Sequence, residues 1–529
     1  MKRLVLNVLF AINCLILYGQ RPGGPGASAP GASTPSSNSG NSTQVIKEDK
    51  KQSSDISFNP DAFVTSTHEI SIKGQRVPYR ATAGTMPVWD EEGKTIAGLF
   101  YTYYERTDIK DQSTRPLIFS FNGGPGSASV WMHIAYTGPV VLNIDDEGYP
   151  VQPYGFKENT HAILDVADIV YIDPVNTGFS RMMNKDIPRS KFFGVNADIK
   201  YLAEWINTFL TRNNRWSSPK YLVGESYGTT RVSGLALELQ ESQWIYFNGV
   251  ILVSPTTLGI ERSAPQSAAL RIPYFAATAW YHKMLPADLQ AKDLTAFLPE
   301  VENFTMNELL AAINKGSMLT ESEKKNIAQK MARYTGLKEE VILQNNLDVS
   351  TSLFWKELLR DQGYTVGRLD SRYKGIDIKD AGERPDYNSE LTSWLHSFTP
   401  PINMYLRENL KYKTDLKYNM FGPVRPWDNS NDQTGASLGK AMSSNPYLHV
   451  MVQSGYYDGA CDYFNAQFNM WQIDPAGKFK DRISWKGYRS GHMMYLRKED
   501  LATSNEHIRE FIKKSMPKPG QAAKYGAKT

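Results

Sequence analysis

The feature that most constrains this chain is a short apolar strand, Tyr221-Leu222-Val223, that runs into Gly224-Glu225-Ser226-Tyr227-Gly228 and then into a helix-compatible run, Val232–Leu239. A strand, a tight glycine-flanked turn and a helix, in that order, hold a serine on a strained bend with its hydroxyl exposed at a sheet edge. The string G-x-S-x-G alone arises by chance, and an ordinary Gly-rich β–α turn is the plain alternative. The strand before it and the helix after it favour a nucleophile. Such a turn needs a sheet around it, and the chain supplies one. Apolar runs recur at wide spacing at Leu117–Phe121, Ile169–Ile172, Tyr221–Val223, Val250–Val253 and Leu448–Val452. Helical patterns between them argue for parallel strands with crossovers, hence an α/β fold. One crossover is explicit: Ile199, Leu202, Trp205, Ile206, Phe209 and Leu210 fall on one helix face, with Asn196 as the expected N-cap.

The rest of the chain divides by composition. Lys2 and Arg3 precede an apolar stretch to about Leu17, which predicts a secretory signal peptide over 1–19. Lipidation at Cys14 and a retained signal anchor are the alternatives; Asn13, not a small residue, precedes that cysteine. Residues 20–55 are rich in Gly, Pro and Ser and too poor in apolar side chains to offset their ordering entropy, so a disordered linker is expected. A catalytic core is expected over 56–260 and 430–516, interrupted by a helical cap insertion at 261–429, with a flexible tail at 517–529. Within the insertion, Thr320-Glu321-Ser322-Glu323 is a capping box, with Gly336 as the helix stop. A second helix runs through Leu353–Leu359, with Gly363 after it.

Composition removes several function classes. A content of 11 Trp, 29 Tyr and 22 Phe in 529 residues excludes wholesale disorder. A net charge of +4 over this length, without a basic block, excludes nucleic-acid binding as the main task. Two cysteines, Cys14 and Cys461, allow neither a disulfide framework nor a thiolate zinc site. Beyond the extreme N-terminus no apolar run is long enough to span a bilayer, so no stable membrane span is expected after signal removal.

A serine nucleophile needs a base. Of eight histidines, His492 fits best: it follows the strand Ile483-Ser484-Trp485 in the loop Ser490-Gly491-His492, late in the chain as the order nucleophile, acid, histidine requires. His449 lies in an apolar strand and reads as a core residue; His507, in the terminal helix Glu506–Met516, reads as a surface one. The acid should close the preceding strand, Leu448–Val452. Asp458 is the first carboxylate after it and Asp462 the competitor. An oxyanion needs two amide donors. One is the N–H of Tyr227; the other is expected from Asn122-Gly123-Gly124-Pro125-Gly126, a glycine-rich string after Leu117–Phe121 that could equally be a plain turn.

Taken in order, FNGGPGSAS, DPVNTGFS, GESYG, SGYYDGACDY and SGHMM resemble the serine carboxypeptidases, the family of carboxypeptidase Y and cathepsin A. The resemblance runs from about Phe58 to Met516 and is weak across the helical insertion. It implies an α/β-hydrolase fold, with a central mostly parallel sheet and an inserted helical cap. It implies Ser226 as nucleophile, Asp458 as acid and His492 as base. Asp458 is preferred over Asp462 because the family's acid lies three residues before a cysteine, here Cys461. It implies the Gly124 and Tyr227 amides as the oxyanion hole. It implies Asn122, the Gly123 amide and Glu225 as the group holding the substrate's terminal carboxylate. No metal or cofactor is implied, and the partners are peptides with a free C-terminus. The implied activity is that of an exported, periplasmic or secreted carboxypeptidase.

The departures are specific. Ser120 stands where the family commonly has tryptophan, Ser127 where it has a disulfide cysteine, and Tyr136 where it has a glutamate paired with the one beside the nucleophile. Two carboxyls sharing a proton favour acidic pH. With Tyr136, Glu225 loses that partner, and a weaker acid preference is expected. An esterase or acyltransferase on the same scaffold is the alternative, and the family also implies hydroxynitrile lyases. A non-catalytic binding protein is disfavoured by the complete triad. Cys461 reads either as a small buried apolar residue or as a thiol close enough to the site for bulky reagents to block it. Arg231 reads as a structural ion-pair partner, and Tyr274 and Tyr281 as packing residues.

Overall fold

The computed structural model describes residues 56–518 and 520. The expected signal peptide (1–19), the linker (20–55) and most of the expected tail (517–529) lie outside the described residues. The first half of the sheet comprises β1 (Ala62–Ile72), β2 (Gln75–Trp89), β3 (Thr95–Arg106), β4 (Leu117–Phe121), β7 (Asp168–Ile172) and β8 (Arg181–Met182). The second half comprises β9 (Lys220–Glu225), β10 (Gly249–Val253), β13 (His449–Gly455) and β14 (Ile483–Tyr488). Two small hairpins stand apart, β5 (Val140–Leu142) with β6 (Phe156–Glu158), and β11 (Thr365–Val366) with β12 (Lys374–Gly375). The large sheet runs β1-β2-β3-β7-β4-β9-β10-β13-β14, with β8 pairing β3. From β7 to β14 every pairing is parallel; from β1 to β7 every pairing is antiparallel.

Each run of apolar residues singled out in the sequence lies in the parallel part. These strands are buried on both faces, which is why they read as continuous apolar runs. Alternate residues serve opposite layers: Ile118, Val223, Ile251 and Met451 face one core, Phe119, Leu222, Val250 and Val450 the other. The second core is closed by the helices Val195–Arg212 and Tyr227–Ser242, and the first by Lys498–Ser515. The long strands β1 to β3 were not apparent as apolar runs. β1 alternates half-buried with exposed residues, so half of its side chains are polar. Its turn into β2 is two residues, Lys73 and Gly74, at φ 50° and 77°, as a tight hairpin requires.

The helix expected from Asn196 begins one residue earlier, at Val195, and Asn196 is exposed within its first turn rather than capping it. Gly194 is the N-cap, and the Val195 N–H is taken by the Asp428 carbonyl at 2.8 Å, so a tertiary acceptor replaces a capping side chain. The Thr320–Glu323 box forms as read, and its helix Glu321–Thr335 stops at Gly336 with φ 70°.

Between β10 and β13 the chain is mostly helical. Residues from Ala269 to Val366 share a third core with Tyr457, Tyr463, Phe464 and Phe468, which follow β13. The later helix Ser389–Met404 packs differently: Trp394, Phe398 and Ile402 join the first core, beside the sheet.

Candidate active site

The C-terminal ends of four parallel strands converge on one place. Asn122 follows β4, Ser226 follows β9, and Asp458 and His492 lie in the loops after β13 and β14. This is the edge at which α/β sheets present their ligand-binding loops. Ser226 stands between β9 and the helix Tyr227–Ser242 at φ 58°, ψ −127°, a conformation that a side-chain-bearing residue adopts only when its surroundings enforce it. Its N–H donates to the Val253 carbonyl at 3.0 Å, and its carbonyl accepts from Thr229 N–H at 2.9 Å. The bend is therefore fixed from both sides, and Ser226 remains partly exposed.

His492 is buried, and its Nδ1 lies 2.7 Å from Asp458 Oδ2. The other Asp458 oxygen accepts from Ala460 N–H at 2.9 Å and Cys461 N–H at 3.0 Å, which leaves Oδ2 for the ring. Burial alone would lower the His492 pKa, but the Asp458 carboxylate beside it overrides this and the net shift is upward. The rival carboxylate, Asp462, caps the helix Tyr463–Ile473 through Asn465 N–H at 2.8 Å. The His492 main chain is also held: its carbonyl accepts from Ser254 Oγ at 2.8 Å and its N–H donates to the Leu369 carbonyl at 2.6 Å.

The loop after β4 closes against the elbow. A side-chain carbon on Gly123 would overlap the Tyr227 nitrogen, so only glycine permits the approach. Gly124 is exposed beside it, with φ 104°. Tyr227 is the first residue of its helix, where an N–H has no intrahelical acceptor. Arg231 forms a buried ion pair with Asp198 at 2.6 Å, as read, and does more. Its Nη1 donates to the Asn122 carbonyl at 2.7 Å and its Nη2 to that of Pro125 at 3.4 Å, anchoring this loop.

Asn122 and Glu225 are brought together: Asn122 Nδ2 donates to Glu225 Oε1 at 2.9 Å. The other oxygen, Oε2, accepts from the Tyr495 hydroxyl at 2.5 Å. Burial raises the Glu225 carboxyl to about 7, opposed by the His492 charge and by these two bonds. Tyr136 does not bond Glu225. Its ring stacks on Tyr495 with centroids 4.5 Å apart, and its hydroxyl donates to Gln453 Oε1 at 2.8 Å. Tyr495 was missed from the sequence, although it lies three residues after His492.

Two histidines differ from their sequence reading. His449 opens β13 and is half-buried rather than core, because the strand's first residue lies at its rim. His507 is half-buried and bonded through Nδ1 to the Tyr488 hydroxyl at 2.8 Å, rather than free at the surface. Tyr274 is fully buried and accepts from Trp355 Nε1 at 2.8 Å, a packing position. Among the described residues, one group has the spacing of a metal cage: ligand atoms of Asp458, Cys461 and His492 lie within 4.8 Å of one another. Two of these already bond each other as a carboxylate–imidazole pair. Cys461 is half-buried, and burial pushes its thiol well above the ordinary range, so it stands beside the pair as a neutral thiol.

The sequence model of the serine carboxypeptidase family matches residues 72–473. Serine carboxypeptidase-like 16 of Arabidopsis thaliana is 29% identical over 191 residues, covering 34% of this chain and 41% of that protein. A serine carboxypeptidase S10 family member of Dictyostelium discoideum is 30% identical over 135 residues, covering 25% of this chain and 29% of that protein. The chain spans less than half the length of these curated relatives. Among solved structures, that of Kex1(Δ)p, a prohormone-processing carboxypeptidase from Saccharomyces cerevisiae, aligns with a TM-score of 0.50 at 15% identity, covering 83% of this chain and 92% of that one. The shared fold is the α/β hydrolase.

Proposed function

We propose, for a chain that belongs to the serine carboxypeptidase family, that it removes C-terminal amino acids from peptides through an acyl-enzyme on Ser226. The observation that carries this reading is the 2.7 Å bond from His492 Nδ1 to Asp458 Oδ2, at the same sheet edge as a serine held at φ 58°. In this mechanism Ser226 attacks the last peptide carbonyl and His492 takes the hydroxyl proton. Asp458 holds the imidazole in the tautomer that leaves Nε2 free for the serine. The amides of Gly124 and Tyr227 bind the oxyanion. His492 returns the proton to the leaving amino acid. Water then releases the shortened peptide by the reverse sequence.

The terminal carboxylate is read by Asn122, the Gly123 amide and Glu225 in its protonated form. Glu225 is raised to about 7 by burial, so the proton it needs in order to donate is held to near neutrality without a second carboxyl. His492 must be neutral to act, and its pKa is raised. Activity on peptides therefore rises through the His492 pKa, and preference for a free terminal acid fades above about 7. That places the optimum nearer neutrality than a carboxyl pair would. The segment after β10 packs on the residues that follow β13, and we assign 261–429 as the cap. We assign export from the basic and then apolar pattern of Lys2 to Leu17. Among the described residues no helix is long and apolar enough to cross a membrane.

One observation favours a second reading. Both Glu225 oxygens already have donors, Asn122 and Tyr495, so the group that should read a carboxylate is satisfied without one. An esterase or acyltransferase would need no such reading. The test is hydrolysis of an N-blocked dipeptide and of its C-terminal amide across pH 4–9, by wild type and Ser226→Ala. Amino acid release from the acid only, absent in the variant, supports the carboxypeptidase. Equal cleavage of the amide, or action on simple esters alone, replaces it with the second reading. Full activity in the variant removes both.

A further inference from the structure

The loop Gly367–Arg372 joins β11 to β12 and lies across both catalytic loops. Its Leu369 carbonyl accepts from His492 N–H at 2.6 Å, and its Arg368 carbonyl accepts from Gly459 N–H at 3.0 Å. On the other side of the acid, Ser371 donates to the Tyr457 carbonyl from its N–H at 2.9 Å and from its hydroxyl at 3.1 Å. One short segment from the helical insertion thus bonds the base itself and the residues on either side of Asp458. The fit is close: a side-chain carbon on Gly491 would fall 2.5 Å from the Asp370 Cβ and from the Leu369 carbonyl oxygen.

What holds this loop is a buried carboxyl. Glu390 is fully buried in the helix Ser389–Met404, and its Oε1 accepts from Leu369 N–H at 2.9 Å. Leu369 is therefore gripped on both sides of its main chain, by Glu390 at the N–H and by His492 at the carbonyl. The second oxygen, Oε2, has no hydrogen-bond partner among the described residues and abuts Gly367. Burial, helped by the Asp370 charge, pushes the carboxyl up to about 7, against the main-chain bonds from Leu369 and from Glu390 itself and against the Arg368 charge. A buried carboxyl with one unpaired oxygen detracts from stability. The one bond this carboxyl makes to the loop falls on Leu369, the residue whose carbonyl holds the base.

We propose that Glu390 is a positioning residue of the active site, holding Leu369 so that the loop Gly367–Arg372 sets His492 against Asp458. This rests on reading Asp458 and His492 as acid and base. Its failure is separable from that of the carboxypeptidase reading, because an ester reports the dyad without needing a terminal carboxylate.

The test compares Glu390→Ala and Glu390→Gln in the full chain, on p-nitrophenyl acetate and on the blocked dipeptide, with active sites counted by a fluorophosphonate. The alanine variant is expected to lose about 10- to 100-fold in kcat per titrated site, with KM within about twofold on either substrate, since displaced catalytic groups slow the step rather than weaken binding. The glutamine variant keeps an Oε1 acceptor for Leu369 and is expected within about threefold of wild type in kcat. Wild-type kcat in the alanine variant, or an equal fall in the glutamine variant, overturns the proposal. Should the alanine variant not fold, Ser371→Ala, which removes the hydroxyl bonds to the Tyr457 carbonyl and to Thr278 Oγ1 but leaves the main-chain bond to Tyr457 in place, is expected to lower kcat about threefold at unchanged KM. Unchanged kcat there also overturns it. A wild type that cleaves the ester alone removes the carboxypeptidase reading and leaves the effect of Glu390 still measurable.

Discussion

The two halves of the proposed active site are held by different means. The nucleophile half, Ser226 with the loop Asn122–Gly126, is fixed by main-chain bonds at the elbow and by one arginine of the elbow's own helix. Ser226 bonds Val253 and Thr229 through its backbone, and the loop is anchored by Arg231 five residues further along the elbow helix. The base half depends on side chains and on a segment distant in sequence: Asp458 on the ring, Ser254 on the His492 carbonyl, Leu369 on its N–H, and Glu390 behind Leu369. A strand–turn–helix imposes its own conformation. A histidine in a loop does not, and must be placed by partners brought from elsewhere in the chain.

The comparison is tested most severely at Asp458. Asp458→Asn keeps the shape of the side chain but lets the amide donate to the ring, which favours the wrong tautomer. A fall in kcat of about 10⁴-fold is expected, with the melting temperature little changed. Ester hydrolysis at saturating substrate measures it. A loss below tenfold would mean that the 2.7 Å bond is structural and that the base half is held without its acid.

The nucleophile half has its own severe test in Arg231. Arg231→Met leaves Asp198 buried and unpaired, which costs about 3–5 kcal/mol of stability. It also frees the Asn122 and Pro125 carbonyls, so kcat should fall along with stability. Arg231→Lys restores the charge without the planar fork and should recover stability more than turnover. Urea unfolding and kcat, measured on the same preparations, separate the two. Full recovery of kcat by lysine would show that charge alone, not the fork, holds the loop.

This division also explains what was legible in the sequence. The parallel strands were, because burial on both faces leaves continuous apolar runs. So was the Ser226 elbow, whose signal lies within a few residues. His492 stood out from its loop after a late strand, whereas Asp458 was separated from Asp462 only by the family resemblance, through its spacing to Cys461. The strands β1 to β3 were not, since half-buried strands mix polar with apolar residues. Nor was Gly194 as the cap of its helix, because the Asp428 carbonyl that satisfies Val195 comes from a remote segment. Leu369 and Glu390 carry no local pattern at all. A backbone acceptor and a buried carboxyl acquire meaning only when the insertion folds back onto the base loop. Tyr495 is intermediate: its place beside His492 is visible, but its bond to Glu225 and its stack on Tyr136 are not.

Each half also contains one buried glutamate, and the pair makes the halves comparable by proton linkage. Glu225 and Glu390 are both raised by burial from 4.5 to about 7. Between those values the native state binds protons that the unfolded state has released, so stability falls as pH rises through the window and is fully present below it. Each residue contributes a loss of up to roughly 3 kcal/mol between pH 4.5 and 7. Urea unfolding at pH 5 and pH 8 should show this decline, and Glu225→Gln or Glu390→Gln should each flatten it. A slope unchanged in both variants would exclude buried neutral carboxyls in either half.

The smallest expected effect asks whether the loop from the insertion reaches the base by charge as well as by hydrogen bonds. Arg368 is half-exposed, and its carbonyl bonds Gly459 beside the acid. Its positive charge lowers the His492 pKa, against the larger upward pull of Asp458. Arg368→Gln removes that opposing charge and leaves the main-chain bond in place. The imidazole should then hold its proton to higher pH, and the acid limb of kcat/KM for ester hydrolysis should move upward, with kcat on the plateau unchanged. Because His492 is buried, the displacement should persist at raised ionic strength, where a purely surface interaction would be screened. A limb that stays in place means that Leu369 and Ser371 act on the dyad through hydrogen bonds alone. A limb that moves down means that the substitution has weakened the Asp458 contact or deepened the burial of the ring, the two influences that set the His492 pKa from opposite sides.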